Sequence, residues 1–231
     1  MNVKRLEENW EAVHRRIAEA AHRAGRDPGE ITLVAVTKRS SSEVIRQLVV
    51  CGAADLGENY PQELWRKADA LGDLSVRWHL IGHLQSNKAR KTLPLVQLVH
   101  AVDSLSLLRT LDSLAAEFKD APPVCLQVNT SGEPTKHGWS PEGLLADADA
   151  IANIRTIRVA GLMTMAALDS TAEAARPAFV RSRILRDELR TRIGLPLEHL
   201  SMGMSHDFEV AIEEGATLVR IGSALFEGVE S

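Results

Sequence analysis

The sequence predicts an α/β fold in which eight parallel strands close into a single (β/α)8 barrel of the TIM type, preceded by an extra N-terminal helix. Three observations carry this expectation. Apolar, often β-branched runs of strand length recur eight times along 231 residues; each is followed by a stretch of helical character; and several of those stretches stop at a glycine just before the next run. Alternating βα units imply a parallel sheet, and eight of them in this length favour closure over an open sheet. A doubly wound open sheet is the structural alternative.

The elements follow in order. Val3, Leu6, Trp10, Val13, Ile17 and Ala24 recur at helical spacing and define an opening amphipathic helix, which Gly25 and Pro28 break. The run from Ile31 to Thr37 is the first strand and delivers Lys38 at its end. Later strands are expected at 54–57, 76–82, 97–103, 124–129, 159–163, 199–203 and 218–222. Gly52, Gly72, Gly194 and Gly215 occupy helix-stop positions, where a left-handed backbone is easiest without a Cβ. Ser140-Pro141-Glu142 places a cap before a proline at the first helical position, and 171–192 is rich in helix formers.

Hydrophobic residues at 45% and charged residues at 25% are ordinary for a soluble globular domain. One domain spanning 1–231 is expected. A net charge of −4 and a pI near 6.1 provide no field to attract nucleic acid or an anionic membrane. The basic run Lys88-Ala89-Arg90-Lys91 is expected to form a solvated helix face. Cys51 and Cys125 show neither CxxC spacing nor supporting histidines, which argues against zinc and for a reducing compartment. Acidic residues interrupt the N-terminus where a signal peptide needs apolar ones, so a cytoplasmic location with no membrane contact is expected.

In a barrel of this kind the site lies at the C-terminal ends of the strands. Those ends are polar here: Thr37-Lys38, Glu58-Asn59, Gly82-His83, Asn129, Ser201-Met202-Gly203 and Arg220-Ile221-Gly222-Ser223. Lys38 is the candidate nucleophile, because an amine partly desolvated at the end of a buried strand has its neutral form favoured. The loops after strands seven and eight carry Ser201, Gly203, Ser205, Gly222 and Ser223, small residues and hydroxyls that suit a phosphate. Closure makes strand eight the neighbour of strand one, so amine and phosphate cradle face one pocket. A phosphorylated aldehyde fits both, and pyridoxal 5'-phosphate, held as a Schiff base on Lys38, is the commonest cofactor of that description. His79 and His83 lack the supporting ligands a metal needs and are expected to wall the pocket or form hydrogen bonds. Tyr60 is expected to line the pocket or, by preference, to pack at the start of the helix that follows it.

Several strings together carry a resemblance across nearly the whole chain. They are Ala35-Val36-Thr37-Lys38; Gly57-Glu58-Asn59-Tyr60 with Gln62-Glu63; Trp78-His79-Leu80-Ile81-Gly82 with Leu84-Gln85 and Asn87-Lys88; and Val128-Asn129 with Lys136 and Gly138. Gly161 to Met165, Leu200 to Ser205 with Asp207, and Val219 to Ser223 complete the set. In this the sequence resembles the pyridoxal phosphate homeostasis proteins, the YggS/PROSC-like family. The resemblance implies a fold-type III barrel like the N-terminal domain of alanine racemase. It also implies Lys38 as the cofactor lysine, Arg220 facing the pyridine nitrogen, Ser201, Gly222 and Ser223 on the phosphate, and Asn59 near the ring. Two positions depart from the family pattern: Glu227 stands where a glycine usually follows the last phenylalanine, with Gly228 after it, and the variable position of the strand-seven string is His206.

Two functions follow. One is a non-enzymatic, monomeric carrier of pyridoxal phosphate in vitamin B6 and amino/keto acid homeostasis, with cofactor-accepting apoenzymes as partners. The other is a small pyridoxal-phosphate enzyme such as an amino-acid racemase. The racemases that this barrel resembles take a catalytic tyrosine from an appended β domain, for which the sequence shows no segment, and this favours the carrier.

Overall fold

The computed structural model describes residues 2–133, 137–167 and 171–229; Lys136, part of the resemblance above, lies outside them. Helix α1 (Val3–Arg23) precedes strand β1 (Thr32–Val36). The chain then runs α2 (Ser42–Val50), β2 (Asp55–Glu58), α3 (Pro61–Ala70), β3 (Arg77–Leu80), α4 (Ser86–Thr92), β4 (Leu98–Val102), α5 (Leu105–Ala115) and β5 (Val124–Gln127). The second half adds α6 (Pro141–Ala146), α7 (Ala148–Ala152), β6 (Val159–Met163), α8 (Ala172–Ile193), β7 (His199–Ser201), α9 (Phe208–Glu213), β8 (Leu218–Ile221) and α10 (Ser223–Phe226).

The eight strands are parallel, pair in sequence order and close β1 onto β8, so the open-sheet alternative is set aside. Closure is in register: Val34 stands opposite Arg220 and Ala35 opposite Ile221. Strand ends match the sequence expectation to within two residues: most strands stop earlier, as residues such as Gly203 and Gly222 turn into the mouth loops, while β2 runs one residue further, to Glu58. Gly82 shows how tightly those loops converge, since a Cβ there would stand 2.2 Å from the Asn59 carbonyl oxygen.

Apolar packing falls into two zones. The larger lies between the strands and the surrounding helices, with Leu48, Leu56, Phe179 and Leu200 fully buried; each such side chain contributes about 1.5–3 kcal/mol relative to exposure. The smaller fills the barrel itself with Val34, Ile81, Leu98, Ala101, Cys125, Met163 and Leu218. Buried polar groups, His79, His100, Ser201 and Arg220, share the interior with it.

Helix α1 buries Leu6, Val13, Ile17 and Ala20, while Val3 and Ala24 at its ends are only half-buried. It packs on α9 and α10, and Asn9 Nδ2 donates to the carbonyls of Leu225 (3.0 Å) and Glu227 (2.9 Å). This resolves the C-terminal departure. Glu227 contributes its carbonyl, and Gly228 takes the left-handed turn at φ 71° one position later.

The helix stops behave as expected at Gly52, Gly194 and Gly215, all with positive φ. Gly72 does not: α3 is already closed by Leu71, whose N–H returns to Lys67, and Gly72 needs no left-handed conformation. Ser140 caps α6, accepting from the Gly143 N–H at 3.0 Å. In α4, Arg90 pairs with Glu117 and Lys91 lies 4.3 Å above the Trp65 ring, so the basic run forms an exposed face with intramolecular partners. Among the described residues, no helix is long and apolar enough to cross a membrane.

Candidate functional site

A cavity of about 560 Å³ opens at the C-terminal ends of the strands, within the range of small-molecule sites. Lys38, Asn59, Arg220, Gly222 and Ser223 all line it. The residues come from β1, β2 and β8 and the turns behind them; β1 and β2 pair directly, and barrel closure brings β8 beside β1.

Lys38 lies just past the end of β1 and, contrary to the expected partial desolvation, is exposed. The cavity mouth is open to solvent at this wall. No carboxylate is paired with Lys38 among the described residues, which leaves its ammonium group uncommitted. The peptide before it is fixed from below. Thr37 is fully buried, its hydroxyl donates to Glu58 Oε1 at 2.7 Å, and Lys67 Nζ donates to both the Thr37 carbonyl (2.6 Å) and Glu58 Oε1 (2.7 Å).

Arg220 forms the floor. It is 4% exposed, donates through Nη1 to Ser201 Oγ (2.6 Å) and through Nη2 to the Thr164 carbonyl (3.0 Å). Burial lowers its pKa to about 10, partly offset by the charge of Asp207, so the guanidinium remains a cation at neutral pH. With Lys38 and Arg39 it makes a cationic cavity, and no acidic side chain appears among the described lining residues. Such a site suits an anionic ligand.

The β7 and β8 turns build an anion cradle. The backbone N–H groups of Gly222 and Ala224 converge on one oxygen, Ser205 Oγ, at 3.3 and 3.2 Å. An N–H pair aimed at a single oxygen is the arrangement that binds phosphate. Gly222 is also needed for space, since a Cβ would stand 3.3 Å from Val36 Cβ and 3.4 Å from the Val36 carbonyl oxygen. The loop is held by Asp207, whose Oδ1 accepts from the Met204 N–H at 2.6 Å. Burial pushes the Asp207 carboxyl up, against that hydrogen bond and the nearby positive charges.

Two expectations need correction. Ser201, expected on the phosphate, lies beneath the floor: it is fully buried, and its hydroxyl is taken by Arg220 and by His100 Nδ1 at 2.7 Å. It is the last residue of β7 and points into the barrel, whereas Ser205, further along the loop, reaches the cavity. Tyr60 does not pack; it is 65% exposed ahead of α3. Of the two roles expected for His79 the structure shows hydrogen bonding, since the ring is 3% exposed inside the barrel and bonded to Asp55 and His100. His83 does line the cavity, held by Asp103 at 2.8 Å and stacked on His137 at 5.8 Å.

Sequence reasoning missed His100 and Asp55, while Ser205 was named among the loop residues that suit a phosphate. A histidine within the otherwise apolar run Leu98 to Val102 was the available signal for the first. Asp55, opening a buried strand, was the signal for the second.

Comparison with known proteins agrees with this geometry. The family described as alanine racemase, N-terminal domain, matches residues 1–229. The pyridoxal phosphate homeostasis protein of Aquifex aeolicus is 42% identical over 95% of this chain and 96% of its own length. That of Pseudomonas aeruginosa is 44% identical over 96% and 94%. PipY of Synechococcus elongatus, solved with PLP bound, superposes with a TM-score of 0.82 at 38% identity, covering 91% of this chain and 99% of that one. On this identity, coverage and shared barrel, the chain belongs to the pyridoxal phosphate homeostasis protein family.

Proposed function

We propose that the chain binds pyridoxal 5'-phosphate in this cavity and acts without catalysis, as a cytoplasmic, single-domain monomer, in the homeostasis of vitamin B6 and amino/keto acids. The observation that carries the reading is one cavity holding an uncommitted lysine, a buried arginine and a converging N–H pair, with no acid among the described lining residues. When bound, the cofactor supplies an aldehyde that condenses reversibly with a primary amine.

Each residue then has a task. Lys38 offers the amine, and the Lys67–Glu58–Thr37 cluster beneath holds its backbone in place. Gly222, Ser223 and Ala224 offer backbone N–H groups to the phosphate, with Ser205 Oγ standing where a phosphate oxygen would lie. Arg220 would present a donor to the pyridine nitrogen, and Asn59 would help hold the ring. Ser201 acts one step removed, by orienting Arg220. An open mouth and an exposed Lys38 suit loading and unloading, and the recipients would be apoenzymes that need the cofactor.

The test is to load the purified protein, record its visible spectrum and reduce it with borohydride. The adduct is expected on the peptide containing Lys38. Recovery of the adduct on Lys88 or Lys136 would overturn the assignment.

A further inference from the structure

A continuous line of hydrogen bonds crosses the barrel from its N-terminal face to the cavity floor. Arg77, half-exposed at the start of β3, donates through Nε and Nη2 to the two oxygens of Asp55 at 2.7 and 2.5 Å. Asp55 Oδ1 meets His79 Nε2 at 2.9 Å, His79 Nδ1 meets His100 Nε2 at 2.9 Å, and His100 Nδ1 meets Ser201 Oγ at 2.7 Å. Arg220 Nη1 then meets the same Ser201 oxygen at 2.6 Å. Asp55, His79, His100 and Ser201 are all buried, so none can turn to water for a replacement partner.

Their chemistry leaves one direction for the chain. Arginine only donates, so Ser201 Oγ must accept from Arg220. The Ser201 hydroxyl, fully buried, then has His100 Nδ1 as its acceptor. That makes His100 an Nε2–H imidazole, which donates to His79 Nδ1. His79 in turn is Nε2–H and donates to Asp55. The opposite direction would leave the Ser201 proton without an acceptor, which costs about 1–3 kcal/mol for a buried group.

The charges at the ends agree. Burial works against the Asp55 carboxylate, but the hydrogen bonds from His79 and Arg77 outweigh it and hold the carboxyl at about 2. Burial, with His79 and then Arg220 adding to it, holds His100 well below the ordinary imidazole range. The hydrogen-bonded imidazole pair links a cation at the floor to an anion at the far end.

We propose that Asp55, His79, His100 and Ser201 are positioning residues for Arg220, a one-way hydrogen-bond relay that fixes the guanidinium and so tunes its contact with a heteroaromatic ring nitrogen in the cavity. The relay rests on the reading of the cavity above only for the identity of that ring. Its orientation of Arg220 is a property of the protein alone. A group near the N-terminal face of the barrel thereby influences the ligand at the opposite face.

The test starts without cofactor. In protein labelled with 15N in histidine and arginine, His79 and His100 should both be neutral Nε2–H tautomers, and the Arg220 N–H signals should exchange slowly. Asp55→Asn and His100→Leu should each speed that exchange and, in the cofactor-loaded protein, shift the visible band and raise cofactor dissociation by on the order of tenfold. His100→Gln, which keeps one donor and one acceptor, should restore the band. A merely structural role would alter stability and leave tautomer and band unchanged. Finding His100 as an Nδ1–H tautomer or doubly protonated, or an unchanged band in folded Asp55→Asn, would overturn the relay. If the wild-type protein takes up no cofactor, the reading of the cavity fails instead, and the tautomers and Arg220 exchange in Asp55→Asn still decide the relay.

Discussion

Lys67 donates its ammonium group to the carbonyl of Thr37 at 2.6 Å, so the peptide that presents Lys38 hangs on a charge 30 residues further along the chain. The same nitrogen pairs with Glu58, and the side chains are 2% and 0% exposed. Glu58 Oε2 has no partner, so this carboxylate depends on Lys67 and Thr37 alone.

Lys67→Met should therefore destabilise the protein by about 3–5 kcal/mol, the cost of leaving one member of a buried pair uncompensated. Urea denaturation would show a lower midpoint at unchanged slope. Adding Glu58→Gln to Lys67→Met should recover part of the loss, because the stranded charge is then removed; a double variant no more stable than the single would contradict this account.

The anion cradle predicts an order of effects on cofactor retention. Gly222→Asp should abolish it, since the side chain meets Val36 and adds a like charge beside the phosphate. Ser223→Ala should weaken it little, because the backbone N–H groups remain. Occupancy after dialysis measures both. Retention by Gly222→Asp equal to that of the wild type would move the phosphate away from β8.

Acid should expose the role of Asp55. Its carboxyl lies at about 2 in the folded protein against an ordinary aspartate value of 3.8, which corresponds to about 2 kcal/mol of stability. A depressed carboxyl stabilises above its unfolded value, so this contribution is present at neutral pH and disappears between about pH 4 and pH 2. Asp55→Asn should be less stable at neutral pH, and the gap from wild type should narrow on acidification. Thermal melts across that range would show it; a constant gap would refute the assignment.

Ordinary amino acids should not be turned over efficiently. Arg220, still charged at neutral pH, leaves a ring nitrogen unprotonated and the ring a weak electron sink. Racemisation needs a second positioned acid or base; Tyr60, the chain's one tyrosine, faces solvent away from the cavity, His79 is buried within the barrel, and His83, which does line the cavity, is engaged by Asp103 at 2.8 Å. The check is a panel of L- and D-amino acids followed for chirality, deamination and decarboxylation. Turnover at about 10⁴ M⁻¹s⁻¹ that vanishes in Lys38→Ala would make the protein an enzyme.

Strand positions were legible because most of the apolar runs are bounded by turn residues, and Lys38 and Gly222 were legible because they close such runs, whereas the roles of Arg220 and Asn59 came only from the resemblance. The interior was not. His100 and Asp55 sit within or at the start of apolar strands, where sequence spacing alone does not tell a barrel-facing residue from a helix-facing one. Ser201 and Ser205 look equivalent in the sequence. Only the course of the loop after β7 separates the one that supports Arg220 from the one that reaches the cradle.

Pairing of β1 with β8 also constrains how the site comes into being. Lys38 emerges early in synthesis and the cradle at 222–224 close to its end, so a nascent chain displays the amine long before it can grip a phosphate. Contacts of such wide sequence separation form late and slowly. On the function proposed above, an aldehyde met during translation would encounter Lys38 as an ordinary surface lysine, and selective capture would begin only when the last strand zips the barrel shut.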